Sequence, residues 1–152
     1  MNGDIETIQF DQLDTLYKIE TAAHLVPWPW PSFSRCFERG YLGRCYRLDG
    51  ELAGFYWAMV GVDDIQLLNL AVDPAKQNNG IGAELLQDLI VRTDTLGKEQ
   101  LFLEVRESNA SAIALYSKHG FCEVGQRVDY YPMPFGGRET AIVMAKQMLN
   151  AE

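Results

Sequence analysis

The chain has 152 residues, a length that favours one compact domain spanning residues 1–152. Hydrophobic residues make up 47% of it and charged residues 22%, which excludes a wholly disordered chain, a collagen-like repeat and a small disulfide scaffold. The 21 acidic residues outnumber the 13 lysines and arginines, and a net charge of -8 repels nucleic acid and anionic membranes. We therefore expect no direct contact with either, and a cationic partner such as a basic protein or peptide.

The cysteines and the chain's first residues indicate a reducing compartment. Cys36, Cys45 and Cys122 are widely spaced and form no C-x-x-C pair, so we expect three buried, reduced thiols and no metal site. Residues 1–6 lack the basic and apolar regions of a secretion signal, and no apolar run is long enough to span a membrane. These features predict a cytoplasmic location and leave the oligomeric state open.

The first third of the chain predicts one strand and two helices. Residues 5–9 form the strand, Asp11 is suited to a helix N-cap, and apolar residues at helical spacing continue to about His24. Alternating prolines over residues 27–31 end this helix, because proline lacks the amide donor and fixes φ. A second, short helix is predicted over residues 32–39.

The middle of the chain predicts three long strands. Residues 41–48 and 52–60 flank Asp49-Gly50, which is typical of a β-hairpin because Asp-Gly suits a tight primed turn. The third strand covers residues 65–72.

Helices and strands alternate in the second half of the chain. The predicted elements are a helix over residues 80–95, a strand over 101–105, a helix over 109–118, and strands over 121–128 and 139–146. A loop rich in tyrosine, proline and glycine separates the last two strands. The complete order, β-α-α-β-β-β-α-β-α-β-β, predicts an α/β (α+β) fold, a mixed sheet with helices on both faces.

The turn before the third predicted helix is a candidate anion site. A helix N-terminus exposes unpaired N–H groups and carries a positive partial charge, and glycines let the backbone approach a phosphate closely. An ordinary turn, in which the glycines serve geometry alone, is the alternative for so short a motif. The residues concerned are Gln77, Asn78, Asn79, Gly80, Ile81, Gly82 and Ala83.

A second group of polar residues surrounds the strand over residues 101–105. Glu104 lies between two apolar residues, where a carboxylate is costly unless it faces a cleft. Asn109 and Tyr116 are seven positions apart, so they share one helix face and can point at one ligand. The alternatives are a solvated surface glutamate, a core tyrosine and a simple helix N-cap at Asn109.

Taken in context, the glycine turn resembles the cofactor motif of the GNAT superfamily of acetyltransferases. The pattern is Gln-x-x-Gly-x-Gly, between a strand ending in Ala-Val-Asp-Pro and a helix continuing Ala-x-Leu-Leu. The resemblance implies a GNAT-like, mainly antiparallel sheet and acetyl-CoA as cosubstrate, with no metal. It also implies that residues 77–83 bind the pyrophosphate and that Leu70, Ala71 and Val72 line the pantetheine arm.

The stretch L-E-V-R-x-S-N-x-x-A-I-x-L-Y-x-x-x-G-F, over residues 103–121, resembles the RimI-type ribosomal-protein alanine N-acetyltransferases within that superfamily. Their substrate is the N-terminal alanine of protein eighteen of the small ribosomal subunit. The resemblance implies that Glu104 is the general base and Tyr116 the general acid of a direct transfer in a ternary complex. We assign Asn109 to cofactor binding.

Aromatic and charged residues near the chain's loops are candidates for substrate binding. Trp28, Tyr130 and Tyr131 combine an apolar face with a polar edge, which suits a peptide, although loop packing explains them equally well. Arg138 is either a substrate contact or a loop anchor paired with Glu139 or another acid. Basic side chains of a substrate are expected to pair with an acid, the candidates being Glu20, Glu107 and Asp129.

Three rival functions remain open on these residues. A GNAT enzyme acting on a small free amine shares the cofactor motif but needs a closed acidic pocket. A non-catalytic acetyl-CoA-binding module is disfavoured because both Glu104 and Tyr116 are present. A nucleotide-binding domain would use the glycine turn without acyl chemistry.

Overall fold

The computed structural model describes residues 3–148. The predicted domain of residues 1–152 also includes residues 1, 2 and 149–152, which lie outside the described part. The α-helices are α1 (Leu13–Ala23), α2 (Trp30–Glu38), α3 (Ile81–Thr95) and α4 (Ala110–Lys118). The strands are β1 (Gly3–Thr7), β2 (Leu42–Leu48), β3 (Glu51–Val60), β4 (Asp64–Val72), β5 (Gln100–Arg106), β6 (Cys122–Pro132) and β7 (Arg138–Gln147).

The seven strands form one sheet in the order β1-β2-β3-β4-β5-β7-β6. β4 and β5 pair in parallel, and the β1–β2, β2–β3, β5–β7 and β6–β7 pairs are antiparallel. The prediction of a mixed, mainly antiparallel sheet in an α/β fold is confirmed. The Asp-Gly hairpin is confirmed as well, since Asp49 and Gly50 take φ values of 50° and 88° between β2 and β3.

The described residues group into two compact units. The first takes its residues from Met1–Met59 and Leu68–Leu89, and the second from Val60–Leu67 and Ile90–Glu152. Strand β4 and helix α3 each contribute residues to both units. Whether they behave as one domain stays a prediction.

Helices cover both faces of the sheet in the first unit. Successive side chains of β3 point to opposite faces, and each face is buried by a different helix. Phe55 packs edge-on against Phe33 of α2, with ring centroids 5.4 Å apart, and both rings are fully buried. The next residue, Tyr56, points the opposite way, and its hydroxyl donates to Asp88 of α3 at 2.6 Å. Each buried aromatic ring stabilises the fold by about 1.5–3 kcal/mol, so α1–α2 and α3 are held on opposite faces.

Burial of all three cysteines was expected, and this is wrong for one of them. Cys36 and Cys45 are buried, and burial raises the pKa of each thiol to about 11. Cys122 is exposed because it begins β6, the outermost strand of its end of the sheet, most of whose side chains are exposed.

Strand β6 is longer than predicted. It continues past residue 128 to Pro132, with a register shift against β7 between Arg127 and Tyr131 and a φ of 52° at Asp129. Tyr130 and Tyr131 therefore lie on a strand rather than in the predicted loop. Helix α2 begins at Trp30, two residues before the prediction, because its first turn accommodates a proline.

Within residues 3–148, no helix is long and apolar enough to cross a membrane. The same part of the chain contains no group of three or more His, Cys, Asp or Glu side chains placed to hold a metal ion.

Candidate active site

The glycine turn of the first unit precedes α3, as predicted, and is shaped by two left-handed residues. Asn78 and Gly80 have φ values of 67° and 78°, and the helix begins at the next residue. Two side chains brace the turn from within: Gln77 Nε2 donates to the carbonyl of Val72 at 3.3 Å, and Asn79 Nδ2 to that of Lys76 at 3.1 Å. The turn is thus organised before any ligand arrives.

Backbone amides at the start of α3 are available to an anion. The helical ladder begins with Glu84 N–H donating to the Gly80 carbonyl at 3.0 Å, so the amides of Ile81, Gly82 and Ala83 precede it. A Cβ on Gly80 would meet nothing within 4 Å, so the space beside the turn is open. These features fit the pyrophosphate of coenzyme A, whose charge the helix N-terminus stabilises.

Lys76 lies close to the glycine turn, but its charge is not available to bind the pyrophosphate. Its ammonium group lies 3.4 Å from a carboxylate oxygen of Glu51 and 3.5 Å from one of Asp73. Both partners neutralise it locally, which leaves anion binding to the amides.

The residues predicted to line the pantetheine arm lie on the last part of β4. The pairs that β4 makes with β5 run from Asp64–Gln100 to Leu67–Leu103, and Leu70, Ala71 and Val72 follow them. Ala71 is 4% exposed and belongs to the hydrophobic core.

Glu104 lies on β5 in the second unit and carries one ionic contact. Its side chain is 14% exposed, and Oε2 accepts from Nε of Arg127 at 2.5 Å. Arg127, on β6, is 57% exposed and stacks over the Tyr130 ring, with its guanidinium carbon 5.3 Å from the centroid. The predicted base is thus half-buried, and its ionic partner is a solvent-exposed arginine.

A second carboxylate nearby is bound much more tightly. Glu139 accepts from Arg106 Nη1 at 3.0 Å, and from the Ser108 hydroxyl and amide at 3.0 and 3.2 Å. Burial raises the pKa of Glu139, but the bonds from Arg106 and Ser108 outweigh it and hold the pKa below its usual range. Sequence reasoning did not assign Glu139 this role, because its neighbours Arg138 and Thr140 are polar and give no sign that the carboxylate is buried.

Two tyrosines complete the polar cluster around Glu104. The Tyr131 and Tyr130 rings meet edge to face with centroids 5.2 Å apart, and Arg106 stacks on Tyr131 at 4.7 Å. Burial, and then the charge of Glu104, raise the pKa of Tyr131 to about 12. Sequence-predicted residues Glu104, Tyr130 and Tyr131 are therefore brought together, with Arg127 and Arg106 between them.

Tyr116 is a buried tyrosine with an unengaged hydroxyl. The residue is 7% exposed and its ring packs on Phe121, with centroids 5.8 Å apart. None of the side-chain hydrogen bonds among residues 3–148 involves its hydroxyl. Burial, followed by the charge of Tyr131, raises the pKa of Tyr116 far above its usual value, so the phenol keeps its proton at neutral pH.

Asn109 caps helix α4, which confirms the simplest interpretation of this residue. Its Oδ1 accepts from the amide of Ala112 at 3.2 Å and from the Ser111 hydroxyl at 3.3 Å. Cofactor binding by Asn109 stays a prediction, for which its exposed position leaves room.

Trp28 lies in the loop after α1, and its backbone is held on both sides. Its amide donates to Glu20 Oε2 at 2.9 Å, and its carbonyl accepts from the Tyr17 hydroxyl at 2.7 Å. The indole lines a cavity of about 280 Å³, together with Arg35 and Arg39 of the α2 segment. This cavity places Trp28 where an aromatic side chain can contact a ligand.

The suggested pairing of Glu20 with basic side chains of a substrate is wrong. Glu20 is 0% exposed, and Oε1 accepts from Asn69 Nδ2 at 2.8 Å and lies 3.4 Å from His24 Nε2. A substrate side chain cannot reach a carboxylate enclosed by these partners. Asn69, 49 residues away, gave no sequence signal for this network.

Arg138 does not pair with Glu139, its suggested acidic partner. Its Nη1 donates to the Tyr130 carbonyl at 3.1 Å, while Glu139 is engaged by Arg106. Adjacent residues on a strand point to opposite faces, which separates Arg138 from Glu139. The other two candidate acids, Glu107 and Asp129, are exposed.

Comparison with curated proteins identifies close relatives over nearly the whole chain. The [ribosomal protein bS18]-alanine N-acetyltransferase of Haemophilus ducreyi is 41% identical over 141 residues, which cover 93% of this chain and 97% of that protein. The protein of the same name from Escherichia coli K12 is also 41% identical, covering 93% and 95%.

Solved structures and a family model give the same result. The crystal structure of the ribosomal-protein-S18-alanine N-acetyltransferase from Escherichia coli matches with a TM-score of 0.90 and 40% identity, covering 96% of this chain and 94% of that one. Ard1 from Thermoplasma volcanium shares the fold, with a TM-score of 0.87, 21% identity and coverage of 97% and 98%. The model of the acetyltransferase (GNAT) family matches residues 11–121. The chain belongs to the acetyltransferase (GNAT) family.

Proposed function

We propose that this protein transfers an acetyl group from acetyl-CoA to the N-terminal amino group of a protein, namely the N-terminal alanine of ribosomal protein bS18. The choice of substrate is supported by the relatives of that name, which are 41% identical over 93% of the chain. The reaction is supported by one observation above the others: Glu104 is a half-buried carboxylate whose single partner among residues 3–148 is the exposed Arg127.

The acceptor needs a base because it arrives protonated. An α-amino group has a pKa of about 8, so most of it is ammonium at neutral pH and cannot attack a carbonyl. Glu104 takes this proton, directly or through a water molecule, and general-base help of this kind contributes roughly 10²–10⁴-fold. Glu139 is unsuited to the task, since its three hydrogen bonds already use its oxygens.

Tyr116 is the proton donor for the departing thiolate. Its raised pKa keeps the phenol protonated, and its hydroxyl is not used by other groups within residues 3–148. Acetyl-CoA supplies the acetyl group as a thioester, and the amine displaces the thiolate directly. No cysteine nucleophile is needed, and the raised thiol pKa of Cys36 and Cys45 makes both poor ones.

Acetyl-CoA is bound mainly through the backbone. Amides at residues 78–83 hold the pyrophosphate at the start of α3, Gln77 and Asn79 brace that turn, and Asn109 contributes a side chain. The last residues of β4, Leu70–Val72, line the pantetheine arm. Strand N–H groups there polarise the thioester carbonyl, as oxyanion sites do in other acyl transfers.

The acceptor peptide is bound by aromatic residues and attracted by the negative charge of the protein. Trp28, Tyr130 and Tyr131 supply apolar faces with polar edges, and Arg138 fixes the strand that bears the tyrosines. A net charge of -8 attracts a basic ribosomal protein in the cytoplasm and accelerates encounter more than it strengthens the complex.

Intact-mass spectrometry tests this proposal directly. The protein is mixed with acetyl-CoA and a basic peptide that begins with alanine, and the same peptide with a blocked N-terminus is the matched control. We expect one added acetyl group on the free peptide and none on the control. Acetylation of a small amine with no gain on the peptide would instead support the free-amine enzyme.

A further inference from the structure

The carboxylate that must accept a proton already carries a cation. Nε of Arg127 bonds to Oε2, one of the two carboxylate oxygens of Glu104. An acceptor ammonium and the guanidinium compete for the same carboxylate, because each donates a charge-assisted hydrogen bond to it. The two cations also repel each other at this distance, so arrival of the acceptor favours departure of the guanidinium.

Arg127 differs from its neighbours in being able to leave. Its side chain is 57% exposed, whereas Arg106, the other arginine of this cluster, is 15% exposed and bonded to Glu139. Arg127 also stacks over Tyr130, at 5.3 Å, so that ring can retain the guanidinium after its bond to Glu104 breaks. Arg127 is therefore bonded to Glu104 and has, in the Tyr130 ring, a second contact that remains when this bond breaks.

We propose that Arg127 is a resident counter-ion of Glu104 that the acceptor's ammonium group displaces, an inference that rests on the proposed role of Glu104 as base. The exchange replaces one cation by another, so the half-buried carboxylate is never left without a partner. It also selects for acceptors with a charged amine. After transfer the product amide is neutral and Glu104 releases the proton it took to solvent, so Arg127 returns to the ionised carboxylate and favours product release.

Nuclear magnetic resonance of the arginine Nε–H groups tests the displacement without turnover. The Arg127 signal is assigned as the one lost in Arg127→Lys, and coenzyme A replaces acetyl-CoA. We expect the alanine-initiated peptide to shift or broaden this signal and the N-acetylated peptide to leave it in place. The proposal is overturned if the free peptide binds, judged by other resonances, and the Arg127 signal does not move.

Steady-state kinetics of Arg127→Gln test the same displacement independently. The groups facing this carboxylate are Arg127, Arg106 and the two tyrosines. Without its resident cation, Glu104 should bind the acceptor about two- to fivefold more tightly, lowering KM. Arg127→Lys, which keeps the positive charge, should restore the KM of the parent protein.

The control and the failure criteria separate this proposal from the reaction itself. Arg47→Gln removes the same charge from an exposed pair with Glu6 at 3.0 Å, and it should leave KM unchanged. Full kcat in Glu104→Gln would reject Glu104 as base and hence the proposed function. An inactive Glu104→Gln together with an Arg127→Gln of unchanged KM rejects the role of Arg127 as counter-ion and leaves the proposed reaction intact.

Discussion

The Arg106–Glu139 and Arg127–Glu104 pairs of the second unit have similar chemistry and opposite character. Arg106 and Glu139 are 15% and 9% exposed, and Ser108 completes the carboxylate's partners with two further hydrogen bonds. In the Arg127–Glu104 pair the arginine is 57% exposed, and among the described residues no other side chain is bonded to the carboxylate. The comparison separates a carboxylate that holds the structure together from one that is free to exchange its partner.

The difference follows from where the strands place each residue. Arg106 and Glu139 come from β5 and β7, which are adjacent in the sheet, whereas Glu104 and Arg127 come from β5 and β6, with β7 between them. Arg127 therefore reaches across a strand from the sheet edge and stays in contact with solvent. Exposed pairs of this kind are weak and screened by salt, and enclosed ones are costly to break.

Replacing the exchangeable carboxylate should cost the most activity. Glu104→Gln keeps the shape but cannot accept the ammonium proton, so we expect kcat to fall by about 10³-fold. Thermal unfolding should change little. Glu6→Gln, which also removes a carboxylate bonded to an arginine Nε, is the matched control and should keep full kcat. Equal kcat for Glu104→Gln and the parent protein would show that Glu104 is not the general base.

Replacing the enclosed carboxylate should cost stability instead. Glu139→Ala leaves Arg106 and the Ser108 amide without their acceptor, and we expect a loss of about 3 kcal/mol in the free energy of unfolding. Urea denaturation followed by tryptophan fluorescence measures it. A variant as stable as the parent would show that the two pairs do not differ in the way their burial indicates.

Loss of the proton donor Tyr116 should lower kcat less than loss of the base Glu104. A thiolate is a good leaving group, since a free thiol has a pKa near 8.5, so Tyr116→Phe should lower kcat by about tenfold. Binding of coenzyme A should be unchanged, as calorimetry can measure. Tyr131→Phe removes a hydroxyl of similarly raised pKa from the same cluster. If both variants lost equal activity, Tyr116 would have no separate role as acid.

Local signals made much of this molecule predictable from its sequence. Asp49-Gly50 specified the hairpin and Asn109 the start of α4, since both act through bonds to residues a few positions away. Glu104 was found because apolar neighbours on a strand make a carboxylate unusual. The glycine turn was found because a strand, two glycines and a helix follow one another without interruption.

Long-range partners were not predictable in the same way. Arg127 is 23 residues from Glu104, and Glu139 is 33 residues from Arg106, so each pairing depends on the sheet order rather than on spacing. The burial of Glu20 depends on Asn69, contributed by a distant strand. The strand containing Tyr130 was placed too short because Asp129, at a φ of 52°, interrupts the pattern without ending the strand.

The smallest expected effect is a difference in acid sensitivity between Glu139 and Glu6. Both have a pKa below the usual value, Glu6 through its bond to Arg47 and Glu139 through Arg106 and Ser108, which outweigh its burial. A carboxyl whose pKa is lowered by folding stabilises the protein above its unfolded pKa, about 4.3, and this contribution is lost as the pH falls through the folded value. Glu139→Gln should therefore show a shallower decline of unfolding free energy below about pH 4, by up to about 1.4 kcal/mol per pH unit.

Glu6→Gln should differ less from the parent, because the Glu6 side chain is 41% exposed and water screens its charge. Urea titrations at pH values from about 6 to 3 compare the three proteins on one scale. Parallel curves for Glu139→Gln and the parent would contradict the lowered pKa. A larger change in Glu6→Gln than in Glu139→Gln would reverse the comparison, because it would make the exposed ion pair the one on which folding depends.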